Sequence, residues 1–167
     1  MDTPKVEKHS DPYFDWDGFY QYVNKAYGNI EKPNYSFARE FCDNKKYPRL
    51  IEFLEENYQF IEDTEPNTDV SYGYLFKQDR VESILRVSIV GPYFYLSPII
   101  SGGGQGVPDV SVGEDDFRLP LLNFMDVHGF VFTSREVLRR KIMFGGSFAS
   151  VYSIIYCYED EPLWVVG

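Results

Sequence analysis

The spacing of apolar residues along the chain changes period twice. From Trp16 to Tyr27 the residues Trp16, Phe19, Tyr20, Val23 and Tyr27 recur at helical spacing, with Asp15 placed as a cap and Gly28-Asn29 as a stop. Asn34 stands where it would cap a short second helix burying Phe37, Ala38 and Phe41. Pro48 suits the first turn of a third helix, whose inner face is Leu50, Ile51, Leu54, Tyr58 and Ile61 and whose wet face is Glu52, Glu55, Glu56 and Gln59. Residues 62–69 form an acidic loop. The period then becomes two: Val70, Tyr72, Tyr74 and Phe76 alternate with Ser71, Gly73, Leu75 and Lys77. Gln78-Asp79-Arg80 makes a turn, a second strand runs over 82–90, Gly91-Pro92 breaks it, and a third spans 93–100. Such short connections predict an antiparallel meander.

Residues 101–114, rich in Gly and Pro, predict a long exposed loop. A helical stripe returns over 117–128 through Leu121, Leu122, Phe124, Met125 and His128, followed by Gly129 and the brief extended piece Phe130-Val131-Phe132. Thr133 and Glu136 have the spacing of a capping box opening a helix that buries Val137, Leu138 and Ile142 and ends at Gly145-Gly146. Ser147 to Tyr158 predicts a last strand with Tyr152, Ile154, Tyr156 and Tyr158 on one face, either covered on both sides or offering tyrosines to a partner. The expected architecture is α+β: a single domain over 13–167 behind a flexible leader at 1–12. Its antiparallel sheet has about four strands, with N-terminal and C-terminal helices packed on it.

Composition narrows the classes of function. The 167 residues carry 26 Asp and Glu against 16 Lys and Arg, a formal charge of −10, which argues against nucleic acid as a partner because phosphates are repelled. Hydrophobic residues at 44% and aromatics at 18% supply enough apolar surface for an ordered core. Two cysteines, Cys42 and Cys157, are too few for a disulfide framework, and residues 1–10 hold no apolar signal segment. With no apolar run long enough to cross a membrane, these features predict a cytoplasmic chain with no membrane association.

Candidate chemistry is sparse. The run Gly102-Gly103-Gly104-Gln105-Gly106 lacks the lysine and the following helix that a phosphate loop requires, so it reads as a flexible loop. The histidines are His9 and His128. His128 lies on an apolar stripe and is expected to be partly buried and hydrogen-bonded, and no metal-ligand spacing or cofactor motif accompanies either. Arg135, Arg139, Arg140 and Lys141 read as the solvated side of a helix. Three carboxylate groups stand out: Glu62, Asp63 and Glu65; Glu114, Asp115 and Asp116; Glu159, Asp160 and Glu161. Their spacing fits neither a glycosidase pair nor a calcium loop. They are either solvated surface or an electrostatic face for a basic partner.

The stretches 130–138 (FVFTSREVL), 149–156 (ASVYSIIY) and 159–164 (EDEPLW), with the central 85–93 (LRVSIVGPY), resemble bacterial immunity proteins that neutralise polymorphic or contact-dependent toxins. In that class a Pro-Trp tail is common, whereas here Leu163 intervenes between Pro162 and Trp164. The resemblance implies a small, non-enzymatic, cytoplasmic binder that occludes the active or substrate-binding site of a cognate toxin domain with a basic surface. It assigns no inhibitory residue. The residues alone leave two alternatives open: a small enzyme with a pocket between sheet and helices, and a general protein-interaction module.

Overall fold

The computed structural model describes residues 13–100, 104–108 and 112–167; the expected leader at 1–12, with His9, and Gly102 and Gly103 of the glycine run lie outside them. Three helices come first: α1 (Trp16–Tyr27), α2 (Ser36–Asp43) and α3 (Pro48–Asn57). Asp15 caps α1, its Oδ1 accepting from the Gly18 N–H at 2.9 Å, and Gly28 closes it at φ +77°, where a Cβ would be strained. Tyr35, not Asn34, is the N-cap of α2; Asn34 accepts from the Ser36 N–H instead. In α3, Leu50 and Leu54 are buried while Glu52, Glu55 and Glu56 are exposed, as their spacing predicts.

The inner face expected to continue to Ile61 ends at Tyr58. Phe60–Glu62 is an edge strand, β1, and Ile61 is 71% exposed. It pairs antiparallel with β2 (Ser71–Gln78), which continues into β3 (Val81–Ser88) and β4 (Tyr93–Ile100). This is the expected meander, with its turn at Asp79 (φ +56°). Part of the glycine-rich segment also joins the sheet: β5 (Gly104–Gln105) pairs antiparallel with β4, and Gly106 is buried, its N–H donating to the Pro98 carbonyl at 2.7 Å. After α4 (Leu119–Val127) the chain returns as β6 (Val131–Phe132), parallel to β4. Among the described residues the sheet therefore has six strands and is mixed, rather than four-stranded and antiparallel. A helix between two strands is long enough to carry the chain back in the same direction, which a hairpin turn cannot do.

Helices cover both faces of the sheet. On one, Tyr58 and Phe117, flanking α3 and α4, pack on Phe76 of β2, and Phe53 stacks on Phe124 at 4.4 Å. On the other, Tyr93 meets Phe19 and Tyr22 of α1, and the Tyr27 hydroxyl donates to the Ile154 carbonyl at 2.6 Å.

The C-terminal third departs most from its pattern. The helix expected from Thr133 to Phe144 is only α5 (Arg135–Arg139), and its cap is Ser134, which accepts from the Val137 N–H. Thr133 is buried instead, its hydroxyl 3.0 Å from the Phe94 carbonyl and 2.6 Å from the Tyr156 hydroxyl. β7 (Lys141–Phe144) and β8 (Ser147–Ser150) form a hairpin, and Gly145 and Gly146, at φ +65° and +85°, make its turn rather than a helix end. Of the basic cluster, Arg135, Arg139 and Lys141 are exposed, whereas Arg140 lies over the Trp16 ring, 4.8 Å from its centre.

The expected last strand, Ser147 to Tyr158, stops at Ser150. There Ser150 caps α6 (Val151–Ile155), accepting from the Ser153 N–H at 3.0 Å. Every residue from Val151 to Cys157 is buried. A short segment apolar on every side satisfies a period of two and of 3.6 alike, so its alternation did not distinguish strand from helix. The covered alternative holds for Tyr152 and Tyr156; Tyr158, 37% exposed, sits at the rim. The final helix is α7 (Leu163–Val166).

Candidate functional site

The centre of the sheet holds a charged residue among apolar neighbours. Arg86 of β3 is 8% exposed, and its side chain lies across Gly73 of β2. A Cβ at Gly73 would stand 2.9 Å from Arg86 Nη1 and 2.3 Å from the Asp63 carbonyl oxygen, so only glycine leaves room for both. Nη1 donates to Asp69 Oδ2 at 2.8 Å and, at 3.4 Å, to the Asp63 carbonyl. Asp69 is 4% exposed, and the same oxygen accepts from the Glu65 N–H at 2.8 Å. Arg86 Nε has no hydrogen-bond partner among the described residues. Burial opposes the guanidinium's charge, but the phenol oxygens of Tyr95 and Tyr152 and the Asp69 carboxylate more than offset it. The Arg86 pKa is therefore raised and the group stays charged.

Tyr95, opposite Arg86 on β4, is fully buried; desolvation pushes its pKa up to about 12 against the lowering effect of Arg86. It remains a neutral phenol at physiological pH, donating to Gln105 Oε1 at 2.7 Å, with the Tyr152 hydroxyl 3.4 Å away. Trp164 of α7 packs edge-on against both tyrosines, with ring centres 6.0 and 5.8 Å apart.

The loop 63–69 is joined to the C-terminal segment. The Tyr158 N–H donates to the Thr68 carbonyl and the Tyr158 hydroxyl to the Asn67 carbonyl, while the Val70 N–H and the Ser71 hydroxyl both donate to the Tyr156 carbonyl at 2.9 Å. Asp69 and Cys157 form an isolated antiparallel bridge. Between these segments lies a cleft of about 620 Å³, lined by Arg86, Gln105, Tyr152 and five carboxylates: Asp63, Glu65, Asp69, Asp160 and Glu161. A burial-raised pKa keeps the Cys157 thiol at its edge protonated at neutral pH, so it is no ready nucleophile.

Two of the three acidic groups read from the sequence thus meet at one cleft. Asp63, Glu65, Asp160 and Glu161 line it. Glu159 is exposed beside them, Glu62 is paired with Lys45, and Glu161 accepts from the Ser150 hydroxyl. The third group is elsewhere. Glu114 and Asp115 are exposed on the approach to α4, and Asp116 is tied to the Arg118 guanidinium at 2.8 and 3.0 Å. The next residue, Phe117, packs on Phe76, on the sheet face opposite Arg86.

His128 is exposed rather than partly buried. It ends α4 with Nδ1 2.8 Å from the Phe124 carbonyl and its ring stacked on Phe124 at 3.9 Å. Among the described residues no group of three or more His, Cys, Asp or Glu is arranged to hold a metal ion, and no helix is long and apolar enough to cross a membrane. Sequence reasoning passed over Gly73, Arg86, Asp69, Tyr95 and Gln105. Two of them carried a signal: an isolated glycine within a strand marks a close approach, and an arginine amid strand hydrophobics needs a buried counter-charge. In comparisons with known proteins, the chain matches no family model, no curated protein and no solved structure.

Proposed function

We propose that this chain is a non-catalytic immunity protein. It binds a cognate toxin domain through the acidic face formed by residues 63–69 and 157–163 and thereby occludes the toxin's active or substrate-binding site. The observation that carries this reading is the junction of two distant acidic segments around one cleft, where five carboxylates stand against one guanidinium among the described residues that line it. Like charges held together cost self-repulsion, which a basic partner relieves, and such a face both steers encounter and selects the partner. If the toxin acts on nucleic acid, its substrate groove is basic, and the carboxylates take the place of phosphates.

The test is co-expression with the toxin encoded beside the gene. The chain should rescue growth and co-purify with the toxin. Replacing Asp160 and Glu161 by Lys should abolish rescue, while the same change at Glu114 and Asp115 should leave it intact. Equal rescue by both variants removes the cleft from the mechanism. A chain that binds a basic protein yet rescues from no neighbouring toxin is a general interaction module instead.

A further inference from the structure

We infer that the outer face of the β7–β8 hairpin is the apolar anchor of the partner-binding surface. It seats Phe148 and Met143 in an apolar depression of a protein whose bordering side chains are basic and meet Asp160 and Glu161. This deepens the proposed function and rests on it for the identity of that protein.

The hairpin has two unlike faces. Partners across an antiparallel pair share a face, and neighbours along a strand alternate. Ile142, its partner Ala149 and Phe144 turn inward: Phe144 is buried against the Tyr27 ring at 4.8 Å, and Ile142 and Ala149 pack on the core. Met143 and Phe148, direct partners, turn outward and are 53% and 71% exposed. A single exposed apolar side chain is ordinary, but two large ones held side by side present a ready-made contact surface. Methionine and aromatic residues are enriched at protein interfaces.

Ser150 joins that face to the acidic rim. It lies two residues beyond Phe148 on the same face, and its hydroxyl donates to Glu161. Two residues past Glu161, Leu163 lines the cleft and is almost wholly exposed. Exposed apolar side chains and rim carboxylates therefore belong to one surface.

This combination selects the occupant. A polyamine or a metal ion satisfies the carboxylates and gives nothing to Phe148. A second copy of the chain, or an anionic bilayer, covers Phe148 but brings negative charge against a chain of net charge −10. A protein surface with basic side chains around an apolar depression satisfies both. The two parts act on different steps: long-range charge sets the rate of encounter, whereas desolvated apolar contact sets the lifetime of the complex.

The experiment follows association and dissociation of the full-length chain on the immobilised toxin encoded beside the gene. Met143→Thr with Phe148→Thr, which keeps strand propensity, should leave the circular dichroism spectrum and the association rate unchanged and raise the dissociation rate by at least about tenfold. Phe148→Thr alone, the milder change, should raise it severalfold. Asp160→Lys with Glu161→Lys should instead lower the association rate and flatten its salt dependence. If the unaltered chain binds and either Thr variant leaves the dissociation rate unchanged, this inference is overturned and the immunity reading stands. An unaltered chain that binds no toxin defeats both. In sedimentation the unaltered chain should run as a monomer, and it should not float with phosphatidylserine vesicles. Self-association or flotation abolished by the Thr pair would assign Phe148 and Met143 to a second copy or a membrane, and would overturn the inference as well.

Discussion

At the residue scale, one missing side chain governs the cleft. Gly73→Ala would push a methyl group into the Asp63 carbonyl and the Arg86 guanidinium. Overpacking of this kind costs about 1–3 kcal/mol, so urea unfolding should shift by that amount. Asp69→Asn should cost about 3–5 kcal/mol, because it strands a buried guanidinium without its counter-charge. The pair was only half legible in the sequence. Arg86 and Gly73 each stood out against their strands, but nothing in the spacing aligned them, since register decides which residues of β2 and β3 face one another. Asp116 carries a pH signature. The Arg118 guanidinium hydrogen-bonded to it holds its carboxyl below the usual value. A pKa lowered by folding means stability that is present above the ordinary carboxylate pKa of about 4 and lost as pH falls through the lowered value. Acid unfolding of Asp116→Asn should therefore show a shallower fall below about pH 4 than the unaltered chain. The effect is small, because the carboxylate, 21% exposed, keeps contact with solvent that screens the pair.

At the element scale, α5 separates two neighbouring hydroxyls by role. Ser134→Ala removes the hydrogen bond to the Val137 N–H and should cost about 1 kcal/mol in thermal unfolding, whereas Ser134→Asp should restore most of it. A capping box read at Thr133 predicts the opposite, with Ser134 inert. The first half of the chain was legible because its signals are local and redundant. Asp15, Gly28 and Pro48 mark helix ends, and strand alternation over β2 to β4 is long enough to fix its period. The second half offered short pieces, α5, β7, β8 and α6, none longer than five residues. Pieces that short give too few turns or alternations to declare a period, and tertiary burial decides among their conformations.

At the scale of the whole molecule, both helical layers pack on one sheet, and the C-terminal segment is hydrogen-bonded to strands and loops far from it in sequence. Removing either layer would expose strand faces lined with aromatic residues. Chemical denaturation should therefore show a single cooperative transition, with far-ultraviolet dichroism and aromatic signals coincident. Two non-coincident transitions would show that the layers unfold apart. The net charge of −10 also reads differently with the fold in hand. Composition told only its sign, whereas chain pairing concentrates two of the three acidic groups on one rim and leaves the third on the far face. No local pattern reports that convergence, because it is made by contacts between residues 67–71 and 156–158.

The packing of Trp164 gives the cleft its own optical gauge. Its indole lies within 6.0 Å of Tyr95 and Tyr152, so energy absorbed by those phenols passes to it, and its emission reports on the cleft wall that Tyr152 forms. The other tryptophan, Trp16, lies beneath Arg140 and can be replaced by Phe to leave Trp164 as the sole tryptophan. In that variant, a ligand entering the cleft should change intensity or wavelength in proportion to occupancy, so binding can be followed without any attached label.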